Sequence, residues 1–173
     1  MKNLLRGAFS LSAAICFIVL APSIAAADGA TREWERWEQP EWTAGAGVYC
    51  DFALRLEVIH QDIERRTLQT YPDGQIKLEQ YRGPLTNYFV NDSTGEKTFH
   101  DASGKMRVEY YSDGEMKTMT MLGPVGAGFT KSDGPPRGYY VMDGYHVITV
   151  SRSDVKDLAV DVGAKQDVCA GLE

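Results

Sequence analysis

Histidine is scarce in this chain: His60, His100 and His146 are its only three. They are well separated, so no His-Glu-x-x-His pair exists, and neither a nucleophile elbow nor a clustered cysteine set accompanies them. Those absences exclude the common zinc-site and hydrolase signatures, and no metal is expected. His60 with Asp62, and His100 with Asp101 and Ser103, bring acid, base and hydroxyl types close in sequence. Neighbours along a strand point to opposite faces, however, and a triad needs side chains that converge in space. The expectation is a non-enzymatic protein with no catalytic residue.

Positive charge is also in short supply. The chain has 18 basic and 24 acidic residues; without Lys2 and Arg6, which belong to an N-terminal leader, 16 stand against 24, a net of about −8. A polyanion binder draws most of its affinity from neutralised phosphates, so nucleic acid is not an expected partner, and an anionic membrane surface is disfavoured on the same grounds. The glycine-rich run Gly123-Pro124-Val125-Gly126-Ala127-Gly128 is followed by strand-like sequence rather than a helix. It therefore lacks the helix N-terminus that a phosphate cradle needs, and no cofactor is expected. It reads as a bend in a strand or as a longer loop.

Residues 1–27 have the layout of a secretory signal. Lys2 and Arg6 form a positive start, Ala8–Leu20 is almost wholly apolar, Pro22 interrupts it, and Ala25-Ala26-Ala27 supplies small residues for cleavage. The expected location is secreted, extracellular or associated with the cell envelope. Cys16 leaves with the signal, so Cys50 and Cys169 remain. An even number of cysteines in an exported protein suggests a disulfide between them, with two separate buried thiols as the alternative.

Residues 28–47 form an acidic arm carrying all three tryptophans, Trp34, Trp37 and Trp42, among Glu33, Glu35, Glu38 and Glu41. Trp34 and Trp37 are three apart, so a helical turn or two over 31–38, if formed, places both indoles on one face, with Pro40 ending the pattern. The arm is either a contact surface for a sugar, lipid or protein or a lid over one end of the domain.

Residues 48–173 read as a single β domain. Glycines at 74, 83, 95, 104, 114, 123, 134 and 144 recur every 9 to 12 residues, several in Asp-Gly or Ser-Gly turn sequences. That spacing marks short antiparallel strands joined by tight turns. Period-2 alternation predicts strands at 48–60, 63–71, 75–82, 85–91, 96–101, 105–111, 115–122, 139–142 and 145–151, with Asp143-Gly144 as the last hairpin turn. Residues 153–165 fit a strand or a short helix. About ten short strands in sequence order predict an all-β, antiparallel up-and-down meander. A closed barrel, which removes exposed edges, is preferred over a sandwich.

Tyr49-Cys50-Asp51-Phe52, Ser93-Thr94-Gly95-Glu96-Lys97, Ser112-Asp113-Gly114 and Asp167-Val168-Cys169-Ala170-Gly171-Leu172 together resemble a group of small secreted actinobacterial proteins without assigned function. The resemblance implies the β-rich fold and the pairing of Cys50 with Cys169, and it implies no activity. The leading expectation is a secreted binding module whose strand aromatics hold a small apolar or glycan ligand in the barrel. The alternative is a structural or envelope-associated domain that contacts other proteins through the tryptophan arm.

Overall fold

Strand-forming runs occupy most of the computed structural model, which describes residues 33–173. The expected signal at 1–27 and the first residues of the arm lie outside the described residues. Twelve antiparallel strands are present: β1 Glu35–Trp37, β2 Trp42–Ala44, β3 Leu54–Gln61, β4 Ile63–Thr70, β5 Ile76–Arg82, β6 Leu85–Asn91, β7 Lys97–Asp101, β8 Lys105–Tyr110, β9 Met116–Leu122, β10 Val125–Phe129, β11 Gly138–Val150 and β12 Lys156–Asp167. Among the described residues a single 3-10 turn, Ala170–Leu172, follows. Strands expected between residues 63 and 122 appear within two residues of their expected bounds. The segment 153–165 resolves to a strand from Lys156 onward, and residues 48–52, expected to open the first strand, form a bend before β3.

The strands fall into two sheets. One has the order β1-β4-β5-β8-β9-β11-β10, with β12 on the other side of β11; the second has the order β2-β3-β6-β7. The registers show that most of these strands are halves of longer ones. Gln61 pairs with Leu85 and Glu64 with Arg82, in one unbroken register across Asp62. Leu122 pairs with Tyr145 and Val125 with Met142, again without a shift. Thus β3–β4, β5–β6, β7–β8 and β9–β10 are each one long strand bent at its middle, and each lies beside its sequence neighbour. The meander expected from the sequence is present. The arm joins it as an extra edge strand, β1 on β4 and β2 on β3, bent near Pro40.

The closed barrel is not. At the bends the ladder parts: among the described residues β7 pairs only with β6, and β10 only with β11, leaving a seam between β7 and β10. Above the seam the second sheet packs face to face on the β11 half of the first, as in a sandwich. Leu54, Leu56 and Phe89 from one side meet Val141, Val168 and Leu172 from the other. What hydrogen bonds do not close, a covalent bond does. Cys50, just before β3, is bonded to Cys169, just after β12, across a sequence separation of 119. A second core of Met121, Ala127, Phe129, Met142, Ile148 and Val150 lies within the curl of β9–β11.

The glycines divide into two interleaved series. Gly74, Gly95, Gly114 and Gly134 lie in loops between strands, as expected, whereas Gly83, Gly104, Gly123, Gly144 and Gly163 lie at the bends or within strands. Asp143-Gly144 is therefore no hairpin turn but the middle of β11. Gly144 faces Gly163 on β12 with φ of +136° and +132°, and a Cβ on either would overlap the partner strand's carbonyl group. Only glycine allows two backbones this close in that conformation.

A 40-residue repeat underlies the pattern. Tyr71-x-Asp-Gly-x-x-Lys77 and Gly83-Pro84 recur as Tyr111-x-Asp-Gly-x-x-Lys117 and Gly123-Pro124. The Gly74 N–H donates to the Tyr71 carbonyl at 2.9 Å and the Gly114 N–H to that of Tyr111 at 3.0 Å. Forty residues further on, the Asp154 N–H donates to the Ser151 carbonyl at 3.0 Å, with Asp154 taking the positive φ of the earlier glycines.

Candidate functional site

Bending opens space at the seam. A cavity of about 110 Å³ lies there, walled by Trp37 of the arm, Leu56, Tyr81, Phe89, Met106 and Tyr139. Its lining also includes Ala102, Gly104, Val125 and Gly126, from the two strands that separate, and exposed Arg82. Gly126 matters sterically, since a side chain there would strike the ring of Tyr139. Phe89 and Tyr139 lie 4.9 Å apart between ring centroids, and Trp37 meets Tyr81 edge-on at 5.3 Å. Burial pushes both the Tyr139 and the Tyr81 phenols well above their usual 10; a hydrogen bond to Glu79 adds to the shift of Tyr81. Both are neutral aromatic walls at physiological pH.

One polar side chain in this lining stands out. Asn87 is 1% exposed, and its Oδ1 has no hydrogen-bond partner among the described residues. Directly opposite it on β7 is His100, 4% exposed, whose Nε2 is likewise without a partner. Buried polar atoms are nearly always satisfied, and leaving one unpaired costs about 1–3 kcal/mol. Two such atoms on facing positions of one sheet make the polar end of the seam. Burial lowers the His100 pKa, partly opposed by a bond to Gln166, so the imidazole is neutral near pH 7. His100 also borders a cleft of about 410 Å³ flanked by Phe99, Pro124, Val141 and Asp143 on the outer side of the same seam.

No known protein family, curated protein or solved structure matches the chain. The chemistry of the seam must carry the functional reading.

Beside the cavity, Glu79 is 4% exposed and accepts hydrogen bonds from the Tyr81 hydroxyl at 2.6 Å and the Tyr110 hydroxyl at 2.9 Å. Arg65 stands 3.9 Å from its other oxygen while bonding Glu35 of the arm at 2.8 Å. This carboxylate anchors the Tyr81 wall and ties the arm to the sheet.

The three tryptophans do not share a face, and no helical turn forms around Glu35–Trp37. In a strand a step of three reverses the side chain's direction. Trp34 instead packs against the guanidinium groups of Arg66 at 4.4 Å and Arg82 at 3.8 Å, while Trp37 lines the cavity. Trp42 packs in the core, 5.2 Å from Tyr139 and 6.3 Å from Phe89. The residues weighed for catalysis are dispersed. His60 and Asp62 are exposed, Asp101 accepts from the Ser103 N–H at 2.8 Å in a local turn, and the Ser103 hydroxyl accepts from the Leu85 N–H at 2.9 Å. His146 is buried on β11, its Nδ1 3.0 Å from Asp161. Asn87 was not singled out from the sequence. Its signal was there: Leu85, Asn87, Phe89 and Asn91 alternate onto the inward face of β6, and an amide amid apolar positions calls for a partner.

Proposed function

We propose that this protein is a secreted, non-enzymatic binding module that takes a small apolar ligand into the seam cavity. The observation that carries the reading is the aromatic cavity where β7 and β10 separate, with an unpaired amide oxygen in its wall. Convergent apolar walls with one or two placed polar groups are the usual make-up of a small-ligand site. The volume of about 110 Å³ fits a ring edge or a short chain, since a cavity of about 150 Å³ holds benzene. Export is supported by the Cys50–Cys169 bond, which belongs to an oxidising compartment. The protein-contact role of the arm is the weaker reading, because Trp34, Trp37 and Trp42 are all docked on the protein itself.

Native mass spectrometry of the chain recovered from its secreting host is the direct test. An excess mass that disappears on denaturation supports the reading. Ala102→Leu, which fills the cavity from the bend, then removes the excess mass while the chain stays folded. A bare chain that also fails to bind toluene or other small aromatics in vitro refutes it.

A further inference from the structure

Asn87 and His100 form a cross-strand pair on β6 and β7, so their Cβ atoms are about 5 Å apart and on the same face. Asn87 borders the inner cavity and His100 the outer cleft, which places the pair between the two spaces of the seam. Each carries one buried atom with no partner, Oδ1 on the amide and Nε2 on the ring. The side chain of Gln166 favours a protonated His100 ring, as an acceptor facing a ring N–H does, and with Nε2 unpartnered we assign that N–H to Nδ1. A neutral imidazole with its proton on Nδ1 has only a lone pair at Nε2. Both orphan atoms are therefore acceptors, and a group that satisfies them must donate twice. An ammonium is a poor candidate, since the cavity wall supplies no carboxylate to pair with a buried charge.

We infer that the seam selects ligands bearing an uncharged NH2 group, as in an arylamine or a primary carboxamide, with one hydrogen donated to Asn87 Oδ1 and the other to His100 Nε2. The apolar remainder of the ligand lies against Phe89, Tyr139 and Trp37, its far edge reaching the mouth beside Arg82. This inference rests on the seam being a ligand site and adds the class of ligand it takes.

Aniline, phenol and toluene share one ring and offer two, one and no donor hydrogens. Their dissociation constants are measured by NMR titration at neutral pH on the mature, disulfide-bonded chain. Aniline is expected to bind about tenfold tighter than toluene, with phenol between them, the net gain from satisfying buried acceptors. Asn87→Leu and His100→Phe each replace an unpaired buried polar group by an apolar one of similar size, so both variants are expected to fold. Each brings the aniline-to-toluene ratio close to one. Equal affinities in the unaltered protein overturn the inference and leave the cavity standing; a resident water bridging the pair gives that result. An aniline preference that survives both substitutions also overturns it. Absence of binding by all three compounds removes the ligand site itself.

Discussion

Replacing both Cys50 and Cys169 by alanine tests whether the bridge stands in for the missing ladder. The bond spans a sequence separation of 119, for which the chain-entropy relation gives about 4.9 kcal/mol. Both residues are buried, 2% and 8% exposed, against Leu54, Val168 and Leu172, so loss of the sulfur atoms leaves a small void costing roughly 1 kcal/mol more. A domain of this size is stable by about 5–15 kcal/mol, so the double variant is expected to lose a third of its stability or more. Urea unfolding followed by tryptophan fluorescence reads this directly, because Trp42 packs on Tyr49 and Phe89 beside the bridge. The midpoint falls, and the slope rises as the uncrosslinked denatured chain exposes more surface. A loss below about 1 kcal/mol refutes the reasoning: the C-terminal turn would then be held by its own packing, with the Asn91 amide donating to the Leu172 carbonyl at 3.1 Å.

Gly144→Ala and Gly163→Ala each cost about 3 kcal/mol or more, combining positive φ with backbone overlap, whereas Gly114→Ala, at φ +88° in open space, costs about 1–2 kcal/mol; thermal melts separate the two classes. Glu79→Leu orphans the hydroxyls of Tyr81 and Tyr110 and the charge of Arg65, and is expected to destabilise by about 3–5 kcal/mol, while Glu79→Gln keeps an acceptor and costs less, as denaturant titration will show. Burial raises the phenols of Tyr81, Tyr110 and Tyr139 above 10, so above that pH the unfolded chain releases protons that the native chain retains. Stability is then flat with respect to these groups below pH 10 and falls as pH rises beyond it, a trend visible in unfolding midpoints measured on either side.

Turn chemistry made the meander legible, and parity made the disulfide so. Asp73-Gly74 and Asp113-Gly114 are tight turns because the Asp Oδ1 caps the N–H two residues on, at 3.0 Å to Gln75 and 3.2 Å to Glu115. Period-2 alternation at Met106, Val108 and Tyr110 picked out the face that the structure buries, with Val108 4% exposed. Glycine alone did not separate a turn from a bend. Ser103-Gly104 and Asp143-Gly144 carry the same turn signal as Ser93-Thr94-Gly95, yet they fall where a strand continues and changes direction. That difference depends on a backbone packed alongside, which local sequence does not encode. Barrel closure failed for the same reason, since it turns on whether β7 and β10 stay adjacent after the bend. The spacing of Trp34 and Trp37 suits a helical step, whereas β4 offers Arg65 and Ile63 as strand partners for Glu35 and Trp37, which the local sequence does not show. The Asn87–His100 pair needed register: 13 residues part them in the chain, and only the ladder shows that they face each other.

The order in which this molecule assembles follows from its ladders. From β3 to β12 every bent strand pairs with the next one along the chain, through loops short enough to close quickly. Zipping can therefore begin at any hairpin and spread without a long search. Contacts across the seam are of another kind: Phe89 on Tyr139, Asn91 to Leu172 and Cys50 to Cys169 join parts of the chain 50 to 119 residues apart. These form late. Truncating a seam residue such as Phe89 should thus hasten unfolding while leaving the folding rate almost unchanged, and the same substitution in a hairpin core should slow folding. The seam is expected to be the last part to shut, and its non-covalent contacts the first to part within the limit the Cys50–Cys169 bond sets, so the proposed ligand would reach the cavity while the rest of the meander stays intact.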